Sequence, residues 1–128
     1  MSESGDVVYI VDDDPSVRRG LERLLRAAGF TAQTFASARE FLERADFNGP
    51  RCLVVDVRMP LWSGFDLQEM LVARHHQIPV IFITGHGDIP MAVRAMKAGA
   101  ADFIPKPFDE DKLLEAIEQA LARDRARH

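Results

Sequence analysis

Apolar residues gather in five short runs separated by stretches of helical periodicity. The runs are Val7–Val11, Thr31–Phe35, Cys52–Val55, Val80–Thr84 and Asp102–Ile104. Their length and their content of Val, Ile and Phe predict strands. The first, third and fourth are almost unbroken in apolar character, which predicts strands covered on both faces of a parallel sheet. Val17, Leu21, Leu24, Leu25 and Ala28 recur at helical spacing and predict one buried helix face. Asp14 is placed as its N-cap, Pro15 as its first residue, and Gly29 as its stop. Ser37-Ala38-Arg39-Glu40 has the form of a capping box for a second helix. Leu67, Met70 and Leu71 mark a third helix. Val93 and Met96 mark a fourth that ends near Gly99. Leu113, Leu114, Ile117, Ala120 and Leu121 mark a fifth, capped by Asp109.

Each interval between strands has room for one helix and two short loops. That rhythm predicts repeated βα units, and right-handed crossovers fold them into a three-layer α/β sandwich. The apolar periodicity fades after residue 122. Residues 1–122 are therefore expected to form the domain, and 123–128 a frayed helix end or the start of a linker.

Composition narrows the function classes. The chain has 128 residues and a formal net charge of −4, from 16 basic and 20 acidic side chains. An acidic domain of this kind is not expected to bind nucleic acid directly. No apolar run approaches the ~20 residues of a membrane helix, so no membrane association is expected. Cys52 is the single cysteine, which excludes an internal disulfide and suits a reducing, cytoplasmic setting.

Polar residues collect where the predicted strands end. The first runs into Asp12-Asp13-Asp14, the third into Asp56 and the fourth into Thr84, while Lys106 follows the fifth. Open parallel sheets place their ligand sites at these strand ends. Clustered carboxylates repel one another, and a hard cation such as Mg²⁺ relieves that repulsion. A metal, a hydroxyl and an ammonium around one carboxylate can stabilise the oxygens of a phosphoryl group. Taken singly, each residue has a plainer reading: Asp14 as a cap, Thr84 as a strand-end residue, Lys106 as a solvated loop lysine.

Val11-Asp12-Asp13, Val55-Asp56, Met59-Pro60 with Gly64, Thr84-Gly85 and Lys106-Pro107-Phe108 together resemble the receiver domain of bacterial two-component response regulators. The stretch from Ile83 to Val93, with Met96-Lys97-Ala98-Gly99-Ala100 and Asp102-Phe103, resembles the FixJ-type branch, whose members usually carry a LuxR-type DNA-binding domain. The resemblance implies a flavodoxin-like sheet of strand order 2-1-3-4-5. It implies Asp56 as phosphoacceptor, supplied by a sensor histidine kinase. Asp12, Asp13, Asp56 and the backbone carbonyl of Arg58 would hold Mg²⁺. Thr84 and Lys106 would bind the phosphoryl group, and Phe103 would be the switch aromatic. Arg58 and His86 are candidates for tuning the phosphoryl lifetime. The face of the fourth helix, fifth strand and fifth helix would dimerise or control an output domain, part of the same protein or separate. On this reading the chain is a signalling switch, not an enzyme acting on an external substrate.

Two other readings compete. A haloacid-dehalogenase-like phosphatase shares a strand followed by Asp-x-Asp, but it leaves Asp56 unexplained. A flavodoxin-like cofactor module needs a phosphate cradle where Asp12-Asp13-Asp14 would repel phosphate. Leu61-Trp62 stands where the family often has a smaller or acidic residue, either as a partner contact or folded over the third helix.

Overall fold

A computed structural model describes residues 5–85 and 89–127. Strands and helices alternate as the periodicity predicts. They are β1 (Val7–Val11), α1 (Pro15–Ala27), β2 (Ala32–Phe35), α2 (Ala38–Arg44), β3 (Arg51–Asp56), α3 (Gly64–Ala73), β4 (Val80–Thr84), α4 (Ile89–Lys97), β5 (Asp102–Pro105) and α5 (Glu110–Arg127). All strand pairs are parallel, in the order β2-β1-β3-β4-β5. This is the flavodoxin-like α/β sandwich that the sequence predicts.

Alternation along the strands builds two cores. Tyr9, Leu53, Val55 and Phe82 face one side, against Phe41 of α2, Leu67 and Leu71 of α3 and Ala95 of α4. Val8, Ile10, Cys52, Val54, Ile81 and Ile83 face the other, against Leu21 and Leu25 of α1 and Leu113 and Ile117 of α5. Both faces of the central strands are thus removed from water, which is why those strands read as unbroken apolar runs. Cys52 lies fully buried here, and burial pushes its thiol pKa up, so it acts as a small hydrophobe.

Most local signals hold. The Asp14 carboxylate accepts from Ser16 N at 2.9 Å, Pro15 opens α1, and Gly29 follows it at φ 92°. Asp109 Oδ1 accepts from Asp111 N at 2.9 Å at the start of α5. At α2 only half the expected capping box forms. Ser37 Oγ accepts from Glu40 N at 3.1 Å, while the Glu40 carboxylate pairs with Arg44 one turn on. A reciprocal box forms instead at α3, between Ser63 and Asp66.

The helix α5 runs on to Arg127, past the point where apolar periodicity fades. Polar contacts hold its last turn at the edge of the sheet where the strands begin. Buried Asp124 accepts from Arg51 N of β3 at 2.8 Å and pairs with Arg127. Arg125 pairs with buried Asp6, beside the start of β1. The Arg51 guanidinium bonds Gly5 O, Asp46 and the buried Tyr9 hydroxyl.

Candidate functional site

The sheet register brings the opposite strand ends level. Val11 pairs with Val55, Asp56 with Ile83, and Thr84 with Pro105. The residues at these C-terminal ends therefore converge: Asp12 after β1, Asp56 closing β3, Thr84 closing β4 and Lys106 after β5.

One carboxylate oxygen from each of Asp12, Asp13 and Asp56 lies within 4.8 Å of the others. Their exposures differ. Asp12 is buried, Asp56 half-buried and Asp13 exposed. Asp14 turns away to cap α1, as its plainer reading has it. Lys106 Nζ stands 3.2 Å from Asp56 Oδ2 and 3.7 Å from Asp12 Oδ2. The Lys106–Pro107 peptide is cis, and Lys106 N donates to Thr84 O at 2.6 Å. The Thr84 side chain is fully buried at the same edge.

Electrostatics mark this as a strained cluster of acids. Burial raises the Asp12 pKa above the usual carboxylate value, and Asp56 and Asp13 add to the rise. The backbone N–H of Asp14 and the charge of Lys106 offset part of it. Asp12 Oδ1 accepts from Asp14 N at 2.9 Å, but the buried Asp12 Oδ2 has no hydrogen-bond partner. An orphaned buried carboxylate oxygen beside two further carboxylates is a hard-donor set, and it fits a divalent cation such as Mg²⁺.

The loop after β3 is fixed by close backbone packing. Arg58 N donates to Asp56 Oδ1 at 3.0 Å, and Val57 N to Ile83 O at 2.9 Å. Gly64 N donates to Val57 O at 2.9 Å. A Cβ on Gly64 would sit 2.7 Å from Asp56 O and 3.1 Å from the Phe82 ring. Only glycine allows the start of α3 to approach the acidic residue this closely. Spacing alone marks Gly64 as part of a motif; the structure supplies its reason.

The other predicted residues are placed as follows. Phe103, in register with Phe82, is half-buried against the core under α3 and α4. Arg58 is exposed on the rim. His86 lies outside the described residues. Leu61 is 96% exposed and Trp62 is 37% exposed, so this pair is not folded into the core. Phe65 and Arg94 border the same loop and carried no signal in the sequence, because their contact joins two helices. The Arg94 guanidinium carbon lies 4.3 Å from the centre of the Phe65 ring.

Residues 8–118 match the family model described as response regulator receiver domain. Response regulator protein TodT of Pseudomonas putida is 51% identical over 121 residues, covering 94% of this chain and 53% of TodT. Transcriptional regulatory protein FixJ of Bradyrhizobium diazoefficiens is 43% identical over 114 residues, covering 89% of this chain and 56% of FixJ. The crystal structure titled FixJ-N superposes with a TM-score of 0.86 at 47% identity, covering 95% of this chain and 96% of that one. This chain spans about half the length of the curated relatives it matches. None of these relatives supports the phosphatase reading. The acids after Lys106 have another use, since Asp109 caps α5 and Glu110 and Asp111 are exposed in its first turn. Among the described residues, no helix is long and apolar enough to cross a membrane.

Proposed function

The chain belongs to the response regulator receiver domain family, and on that premise we propose that it is a switch set by phosphorylation of Asp56. The observation that carries this reading is the Asp56 carboxylate with an ammonium 3.2 Å away, at an edge shared with Asp12, Asp13 and Thr84. An Asp56 oxygen attacks the phosphorus of a phosphohistidine on a sensor histidine kinase. The P–N bond breaks, and its electron pair returns to the imidazole. The product is an aspartyl phosphate whose phosphoryl group carries roughly −1.5 to −2 charges where the carboxylate carried one.

Asp12, Asp13, Asp56 and the Arg58 backbone carbonyl would hold Mg²⁺. When bound, that ion neutralises charge on the carboxylates and on the incoming phosphoryl oxygens. Lys106 pairs with the new dianion, and the Thr84 hydroxyl donates to one of its oxygens. Arg58 and His86 control water access and so the lifetime of the acyl phosphate.

A dianion that draws Thr84 and Lys106 gives the two states different energies, which is what a switch requires. Phe103 turns inward as Thr84 moves, and the surface of α4, β5 and α5 changes. That surface then pairs two copies or frees a LuxR-type DNA-binding output, on the same chain or a separate one. The domain takes in the whole of α5 to Arg127, since the last turn of that helix is tied to Arg51 and Asp6, and the protein works in the cytoplasm.

The test is intact-mass analysis after incubation with acetyl phosphate and Mg²⁺. The expected result is a gain of one phosphoryl group that disappears in Asp56→Asn. A gain unaffected by that substitution overturns the assignment of Asp56.

A further inference from the structure

α4 is weakly anchored. Of its described side chains only Ala95 is fully buried; Met91 and Ala92 are half-buried, and Val93, Arg94, Met96 and Lys97 are exposed. Against this background the Arg94 contact stands out. Its guanidinium carbon sits 4.3 Å from the centre of the Phe65 ring in α3, well within cation–π range.

Phe65 is not an isolated ring. It packs on Phe82 of β4 with centroids 4.8 Å apart. The Phe82 ring in turn lies against the Gly64 position, where α3 meets the Asp56 carbonyl. Phe82 is also the register partner of Phe103. A line of packing therefore runs from Arg94 on α4, through Phe65 and Phe82, to the Gly64 position beside the Asp56 carbonyl.

We infer that Arg94 is a positioning residue that latches α4 to α3 and so holds the unphosphorylated arrangement of the switch. The inference rests on the reading of Asp56 as phosphoacceptor. The latch favours one state only if the stack is made in that state and loosened in the other. Removing it then raises the share of molecules already competent for the phosphorylated form. A ligand that selects that form binds more tightly by the same factor.

The experiment uses beryllofluoride with Mg²⁺, a mimic of the phosphoryl group, titrated calorimetrically into the wild type, Arg94→Gln, Arg94→Lys and Phe65→Leu. Amide hydrogen exchange across α4 is measured without the mimic. Arg94 is exposed, so its variants keep the folded core; Phe65→Leu tests the other half of the contact. Arg94→Gln and Phe65→Leu should bind roughly two- to fivefold more tightly, the factor expected of an exposed cation–π pair. Exchange in α4 should accelerate in both. Arg94→Lys should fall between wild type and Arg94→Gln, because it keeps the charge but loses the planar stack. Unchanged or weaker binding in Arg94→Gln, or unchanged exchange in α4, overturns the latch. If the wild type binds no mimic, the phosphoacceptor reading fails, and the exchange data still decide whether Arg94 anchors α4.

Discussion

Lys106 Nζ lies 3.2 Å from Asp56 Oδ2, joining the residue that follows β5 to the one that closes β3. The two are fifty positions apart in sequence, and only the parallel order β3-β4-β5 brings them together. Asp56 is thereby a carboxylate with a preplaced counter-charge. Lys106→Ala is expected to slow phosphorylation by acetyl phosphate about 10²-fold, the usual loss when one preorganised charge stabiliser is removed. Time courses of intact mass measure this. A rate within a factor of two of wild type would show that Lys106 is only a structural ion-pair partner.

Asp12 has an elevated pKa because it is buried first and next to other acids second. The native state therefore holds its proton to higher pH than the unfolded chain. Stability is lost as pH rises from the unfolded value near 3.8 through the folded one. In metal-free buffer at pH 7, Asp12→Asn should melt a few degrees higher than wild type, and the difference should shrink toward pH 3. Added Mg²⁺ should raise the wild-type melting temperature more than that of Asp12→Asn. Thermal melts with and without EDTA check both. Equal response to Mg²⁺ in the two proteins would remove Asp12 from the metal site.

Gly64 has no space for a side chain, since a Cβ would meet the Asp56 carbonyl at 2.7 Å. Gly64→Ala should cost about 1–3 kcal/mol in urea unfolding, the range of overpacked cores. It should also slow phosphorylation, because relief of the clash displaces the backbone of Asp56. A stable variant with normal kinetics would show that the start of α3 yields without disturbing the site.

Much of this architecture is legible in the sequence because its signals are local. Strand β1 and strand β4 keep the bounds that their apolar runs predict. The acids, the threonine and the lysine sit at strand ends, so once the units are parallel they must converge. The signals that stay hidden are pairings between distant segments. Asp124 meets Arg51 N across 73 positions, and Arg125 meets Asp6 across 119. Nothing in the periodicity of α5 announces that its charged last turn is partly buried, because what buries it is the start of β1 and β3. The Glu40 side chain shows the opposite failure. Its local capping signal is real, but Arg44 one turn away competes for the carboxylate and takes it.

The same distant pairing supports a prediction on stability. Asp124→Ala leaves Arg51 N without its acceptor in a buried setting. The expected cost is about 1–3 kcal/mol by urea unfolding, the penalty of an unpaired buried donor. Phosphorylation of Asp56 should persist, since the contact lies at the opposite edge of the sheet. Loss of less than about 0.5 kcal/mol, the size of an ordinary surface change, would mean that water replaces the carboxylate at no cost.

The central claim is that the phosphoryl group is carried by Asp56 and by no other acid of the cluster. An acyl phosphate is reduced by borohydride to the alcohol, which converts the modified aspartate to homoserine. Protein treated with acetyl phosphate and Mg²⁺, reduced in this way and mapped by peptide mass spectrometry, reports the position directly. The account predicts homoserine at position 56, with Asp12 and Asp13 unmodified. Homoserine at position 12 or 13, or none at any position, would contradict it.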